Sequence, residues 1–112
     1  MKEIKAIIRP SRLADVIMEL EDIKDIPGIT ISEVKRCWQG SAKDIEKHTS
    51  DGLVEYVPKI KLEVVVPDEM VEEVVSVIQK TAHTGNSGDG KIYIIPVDEV
   101  IKLRTNERGN HN

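Results

Sequence analysis

Phenylalanine is absent from this chain of 112 residues, and Trp38, Tyr56 and Tyr93 are its only aromatic side chains. The core must therefore be aliphatic, and stacking platforms for single-stranded nucleic acid have little to be built from. Cysteine is almost absent too. Cys37 stands alone, which excludes an internal disulfide, fits a reducing cytoplasm and leaves an inert strand residue as its simplest role. No apolar run approaches the ~20 residues that cross a bilayer. The start, Met1-Lys2-Glu3-Ile4-Lys5, carries charge with no apolar signal segment behind it. Basic charge is in deficit: 16 Lys and Arg against 20 Asp and Glu give a net charge of −4, which argues against general affinity for nucleic acid. What remains, 39% hydrophobic and 32% charged residues, is the composition of one soluble globular domain (1–112) long enough for a real core.

Apolar periodicity organises the chain. Ile4, Ala6, Ile7 and Ile8 form a short run stopped at Arg9-Pro10, the pattern of a first strand. Leu13, Val16, Ile17, Leu20 and Ile23 then recur at helical spacing, with Ser11 placed to cap the helix and Asp25-Ile26-Pro27-Gly28 to break it. Residues 29–38 are rich in β-branched types and predict a second strand. Residues 39–53 are polar, mixed in charge and aperiodic, a length of loop that in a small domain is usually functional or mobile. His48 within it reads as a solvated loop residue.

The third strand has the clearest signal. Tyr56, Pro58, Ile60, Leu62, Val64 and Val66 alternate with Glu55, Lys59, Lys61 and Glu63, so one face is buried, and Pro58 places the strand's start at an edge. Asp68 is set to cap a second amphipathic helix marked by Val71, Val74, Val75, Ile78 and Ala82, whose outer side (Glu69, Glu72, Glu73) is a solvated acidic face. Ile92 to Val97 reads as a fourth strand, 102–105 as a short last strand with Lys102 and Arg104 pointing the same way, and 106–112 as a fraying tail.

Between the second helix and the fourth strand lies Thr84-Gly85-Asn86-Ser87-Gly88-Asp89-Gly90-Lys91. Its three glycines supply positive φ angles, and backbone N–H groups turned to one point beside an ammonium make a site for phosphate. A tight turn is the plainer alternative. A Walker loop is excluded, since that motif leads from a strand into a helix with Ser or Thr after its lysine, and Ile92 follows Lys91. ATP hydrolysis in the P-loop manner has no support for the same reason.

Two β-α-β units in tandem give the order βαββαβ, an α+β ferredoxin-like fold with an antiparallel sheet and both helices on one face. The other face then needs partial covering, which predicts a homo-oligomer packed sheet to sheet.

In this arrangement the chain resembles the PII signalling proteins, trimeric regulators of nitrogen metabolism. The resemblance is carried by Lys5-Ala6-Ile7-Ile8-Arg9-Pro10, Thr30-Ile31-Ser32-Glu33-Val34-Lys35, Pro58-Lys59-Ile60-Lys61-Leu62-Glu63-Val64-Val65-Val66, the glycine loop, and Leu103-Arg104-Thr105-Asn106-Glu107-Arg108-Gly109. It implies a cytoplasmic homotrimer with ATP and ADP competing for clefts between subunits, Mg²⁺ being compatible with that site. It further implies a non-catalytic regulator that docks a long T-loop, here 39–53, on a membrane transporter or a metabolic enzyme. Carried over by position, Gly88, Asp89, Gly90 and Lys91 touch phosphate and Thr30 and Val65 lie near base and ribose. Lys102 and Arg104 reach phosphates from a neighbouring subunit. Lys102 stands where most of the family has arginine, which keeps the charge and loses the bidentate fork.

The T-loop departs from the family pattern. Arg36-Cys37-Trp38-Gln39-Gly40-Ser41-Ala42 replaces a segment of the form Gly-Phe-Gly-Arg-Gln-Lys-Gly. Gln39 is offset by one residue from the family glutamine that helps hold Mg²⁺ and 2-oxoglutarate. Lys59 matches the lysine that pairs with a 2-oxoglutarate carboxylate, or is an exposed strand lysine. These departures argue against 2-oxoglutarate sensing. The tyrosine that many relatives uridylylate is missing, with Gly52 near its position, and Ser50 lies near a position that some relatives phosphorylate. The alternative from another class is a trimer that binds a metal or small ion without nucleotide. Cys37, His48 and His83 would be its soft ligands, at spacings that match no standard site.

Overall fold

The computed structural model describes residues 1–37 and 56–109; the long polar stretch, with Gln39, His48 and Ser50, lies outside them, as does Trp38. Six strands are present among the described residues: β1 (Lys2–Ile8), β2 (Thr30–Cys37), β3 (Tyr56–Val66), β4 (Gly90–Pro96), β5 (Val100–Ile101) and β6 (Arg108–Gly109). Two helices, α1 (Leu13–Glu21) and α2 (Val71–Ala82), follow β1 and β3. The main sheet has the order β2-β3-β1-β4 with every pairing antiparallel, which is the ferredoxin-like arrangement.

Alternation fixes which way the sheet faces. Ile4, Ala6 and Ile8 of β1 stand opposite Val64, Leu62 and Ile60 of β3, so all six side chains share one face. That face is buried under Val16 and Leu20 of α1 and Val74, Ile78 and Ala82 of α2. Each fully buried aliphatic side chain contributes ~1.5–3 kcal/mol, and with no phenylalanine the core is assembled from many such increments. Pro58 pairs with Lys35 of β2, whereas β1 reaches along β3 only as far as Ile60. At Pro58 the strand is therefore an edge, where a missing N–H costs no ladder bond.

Both helices start differently from the sequence expectation. Each is preceded by one turn of 3-10 helix, Pro10–Arg12 and Asp68–Met70. Ser11 sits inside the first turn and makes no capping bond, because Pro10 at the first position already presets the helical φ. Asp68 does not cap either. Its carboxylate is taken by the Met1 amino group at 3.0 Å and Lys2 Nζ at 3.2 Å.

The face away from the helices is mixed rather than apolar. Lys5 stands opposite Glu63 and lies over the Tyr93 ring at 5.3 Å, and Lys61 approaches Glu63 at 3.6 Å. Burial, together with the adjacent Glu63 carboxylate, pushes the Glu3 carboxyl above its usual range. The C-terminal end also departs from expectation: residues 103–105 form a turn, and β5 pairs with β6, so Arg108 and Gly109 do not fray. Two backbone bonds close this hairpin, Lys102 N–H to the Glu107 carbonyl at 3.0 Å and Asn106 N–H to the Lys102 carbonyl at 2.8 Å.

Candidate functional site

The glycine loop leaves α2 at His83 and returns as β4 at Gly90, directly beside the last residue of β1. Gly85, Gly88 and Gly90 have φ of 90°, 92° and 110°, all in the region that glycine alone enters freely. Gly90 is forced by contact as well as by conformation. A Cβ there would sit 1.7 Å from the Ile7 carbonyl oxygen, so β1 and β4 can approach only if this residue has no side chain.

The loop's amides do not all face outward. Asp89 folds its carboxylate back into the loop. Oδ2 accepts the N–H of Thr84 at 2.8 Å and of Gly85 at 2.9 Å, and Oδ1 accepts the Thr84 hydroxyl. The Thr84 bonds are the largest cause holding the Asp89 carboxyl far below the usual carboxylate range, with Arg9 and the Gly85 amide adding to it. The expectation of a simple amide cradle is therefore corrected for residues 84 and 85, whose N–H groups serve the protein's own anion.

Two cations, Arg9 and Lys59, hold the far half of the loop, and a third, Lys91, follows it in the chain. Arg9 Nε donates to Asp89 Oδ1 at 3.1 Å, and Arg9 Nη2 donates to the Ser87 carbonyl at 2.8 Å. Lys59 donates to the Gly88 carbonyl and is buried, with 6% of its surface exposed. An exposed strand lysine was the other possibility, and the structure rules it out. Burial pushes the Lys59 ammonium below its usual pKa, and repulsion from Arg9 and Arg36 lowers it further, with Asp89 partly offsetting them. Lys91 is exposed on the same sheet face as Ile7. Set against the Asp89 carboxylate, this leaves a local surplus of positive charge.

A second element of sequence grips the loop's entrance. Arg12 donates to the Thr81 carbonyl, in the last turn of α2, from Nε at 2.9 Å and from Nη2 at 2.6 Å. Arg9 and Arg12 were not singled out in the sequence as loop contacts. Their position either side of Pro10 is a signal only once β1 is known to lie beside the glycine loop.

The remaining candidate residues lie elsewhere. Thr30 and Val65 line a cleft of about 420 Å³ with Met1, Glu3, Glu63 and Val100. Asp89, Gly90 and Lys91 line another, of about 350 Å³, with Ile7, His83 and Ile92. Gly90 is opposite Ile8 at one end of β1 and Pro96 is opposite Lys2 at the other. Six strand steps separate these ends, roughly 20 Å. Val100, two residues before Lys102, lies at the Met1 end. The structure thus brings Lys59, Gly88, Asp89 and Gly90 together with Lys91 on their rim, and leaves Thr30 and Val65 in a separate cleft. Lys102 and Arg104, in the turn of the C-terminal hairpin, follow on from that second cleft. Among the described residues no group of three or more His, Cys, Asp or Glu is placed to hold a metal ion, and no helix is long and apolar enough to cross a membrane.

Fold, loop and hairpin together define a small α+β domain of the ferredoxin-like kind. The family model described as Nitrogen regulatory protein P-II matches residues 1–107. A Nitrogen regulatory protein P-II of Azospirillum brasilense is 41% identical over 109 residues, covering 97% of this chain and 96% of that protein. One from Haemophilus influenzae is 43% identical over 107 residues, with 96% and 95% covered. Nitrogen regulatory protein P-II 1 of Escherichia coli is 41% identical over 107 residues, with the same coverage. The chain belongs to the P-II family, whose members are signal-transduction regulators and not enzymes.

Proposed function

We propose that this protein is a homotrimeric, cytoplasmic regulator that binds ATP and ADP in clefts between its subunits and acts on a transporter or metabolic enzyme through residues 39–53. The observation that carries this is the placement of Lys59, Arg9 and Lys91 around Gly88 to Gly90. A buried ammonium repelled by two guanidinium groups would be stabilised by an arriving polyphosphate, whose negative oxygens offset that repulsion. The donor set fits that group: glycine backbone that admits close approach, flanked by ammonium and guanidinium donors.

The roughly 20 Å between the sheet's ends supports an intersubunit site. One copy would supply the glycine loop and a second copy Lys102 and Arg104, a head-to-tail contact that closes into a ring. Nucleotide bound between copies would then couple assembly, loop shape and partner choice. Residues 39–53 follow directly from β2, whose Arg36 adds to the charge felt by Lys59.

Calorimetry with ATP and ADP on the whole chain tests the proposal. Binding at one nucleotide per subunit is expected. Neither ATP nor ADP binding at millimolar concentration would overturn it. The intersubunit geometry is tested separately by mixing Lys91→Ala and Arg104→Ala chains. Each alone should bind weakly, and mixed assemblies should recover a fraction of intact sites. No recovery, with mixing shown by mass, would rule out a shared site.

A further inference from the structure

A loop with three glycines at positive φ is costly to hold in one shape, because each samples more backbone conformations when released than any other residue. We propose that Thr84 and Asp89 form a latch across the mouth of this loop and act as its positioning residues, with Arg9 as the outer brace. This rests on the nucleotide reading of the same loop and adds to it what sets the loop's geometry.

The latch closes the loop on itself. Asp89 accepts from the Thr84 N–H, the Thr84 hydroxyl and the Gly85 N–H, and from Arg9 on its outer side. The Thr84 hydroxyl is used twice, since it also accepts the Asn86 N–H at 3.2 Å. Asp89 N–H donates to the Asn86 carbonyl at 3.3 Å, which completes a small ring of bonds within residues 84–89. Every glycine of the loop lies inside or beside that ring. With the amides of Thr84 and Gly85 committed to Asp89, an incoming anion is directed to the far half of the loop, beside Gly88, Gly90 and Lys91. Serine at 84 can make both hydroxyl bonds, whereas valine, of the same shape, can make neither.

The experiment compares Thr84→Val, Thr84→Ser and Asp89→Asn in the full chain, measuring ATP affinity by calorimetry and amide exchange at Thr84 and Gly85 by NMR. Thr84→Val should weaken ATP binding about 5- to 20-fold and speed Gly85 exchange about tenfold or more, as expected when a charge-assisted hydrogen bond is lost. Thr84→Ser should restore both to within about twofold, and Thr84→Val combined with Asp89→Asn should cost less than the two single changes summed, since residues that act as a unit are not additive. ATP binding left within twofold by Thr84→Val would overturn the latch alone, as would additive effects of the two changes. An unaltered chain that binds no ATP would overturn the nucleotide reading and the latch's positioning role with it.

Discussion

Arg9, the last residue before Pro10 ends the first strand, is joined to Asp89, eighty positions later, by an ion pair of 3.1 Å. The same guanidinium reaches the Ser87 carbonyl at 2.8 Å, so one side chain holds two points of the glycine loop. A lysine cannot hold both in that geometry, because its ammonium is a single point and not a planar fork. Arg9→Lys should therefore destabilise the protein by about 1 kcal/mol, modest because the pair is partly exposed. Urea unfolding of the two proteins measures this, and equal midpoints would show that the fork is not needed.

Asp89 titrates in a definite direction. Its carboxyl is held below the ordinary value of 3.8, so it adds stability that is present above pH 3.8 and lost as pH falls through the lower, folded value. An NMR titration of the Asp89 carboxyl carbon should give a midpoint clearly under 3.8. A midpoint at or above that value would mean that the Thr84 bonds do not persist in solution.

Lys59 works the other way at the alkaline end. Its folded pKa is lowered from 10.5, so between the folded value and 10.5 the unfolded chain binds more protons and stability rises with pH. The unfolding free energy of the unaltered protein minus that of Lys59→Met should become more positive on going from pH 8 toward pH 10. A signed difference that is flat or falls would place the ammonium in water after all.

Gly90 and Gly28 make a matched pair. Alanine at 90 would drive a Cβ into the Ile7 carbonyl at 1.7 Å and hold φ at 110°, whereas alanine at 28 meets nothing within 4 Å. Gly90→Ala should cost at least about 3 kcal/mol, while Gly28→Ala should stay within about 0.5 kcal/mol of the unaltered protein. Thermal unfolding distinguishes them, and similar losses would contradict the close approach of β1 and β4.

Lys102→Arg supplies the fork that the nucleotide reading lacks at this position. Bidentate contact with a phosphate should tighten ATP binding a few-fold, ~0.5–1 kcal/mol, without changing the melting temperature of the free protein. Affinity that is unchanged or weaker would place Lys102 outside the site.

Most of the fold could be read from the residues because it is local. Period two in residues 56–66 and helical spacing in Leu13 to Ile23 and Val71 to Ala82 each mark one buried face, and a proline or glycine turn marks most of their ends. Helix starts were missed because Ser11 and Asp68 have capping side chains by type, yet a 3-10 turn and the amino terminus claimed those places. The C-terminal hairpin was missed because two-residue strands leave no periodic signal.

The sequence alone determined the βαββαβ order, the aliphatic core and the place of the glycine loop between the second helix and the fourth strand. Only the tertiary structure decided which side chains serve that loop. Antiparallel pairing of β1 with both β3 and β4 lays Arg9 and Lys59 against residues 87–89, a contact between positions far apart in the chain that no spacing can announce. It also turned Asp89 inward, where the Thr84 and Gly85 N–H groups and Arg9 are its nearest donors, and buried Lys59 against the Gly88 carbonyl.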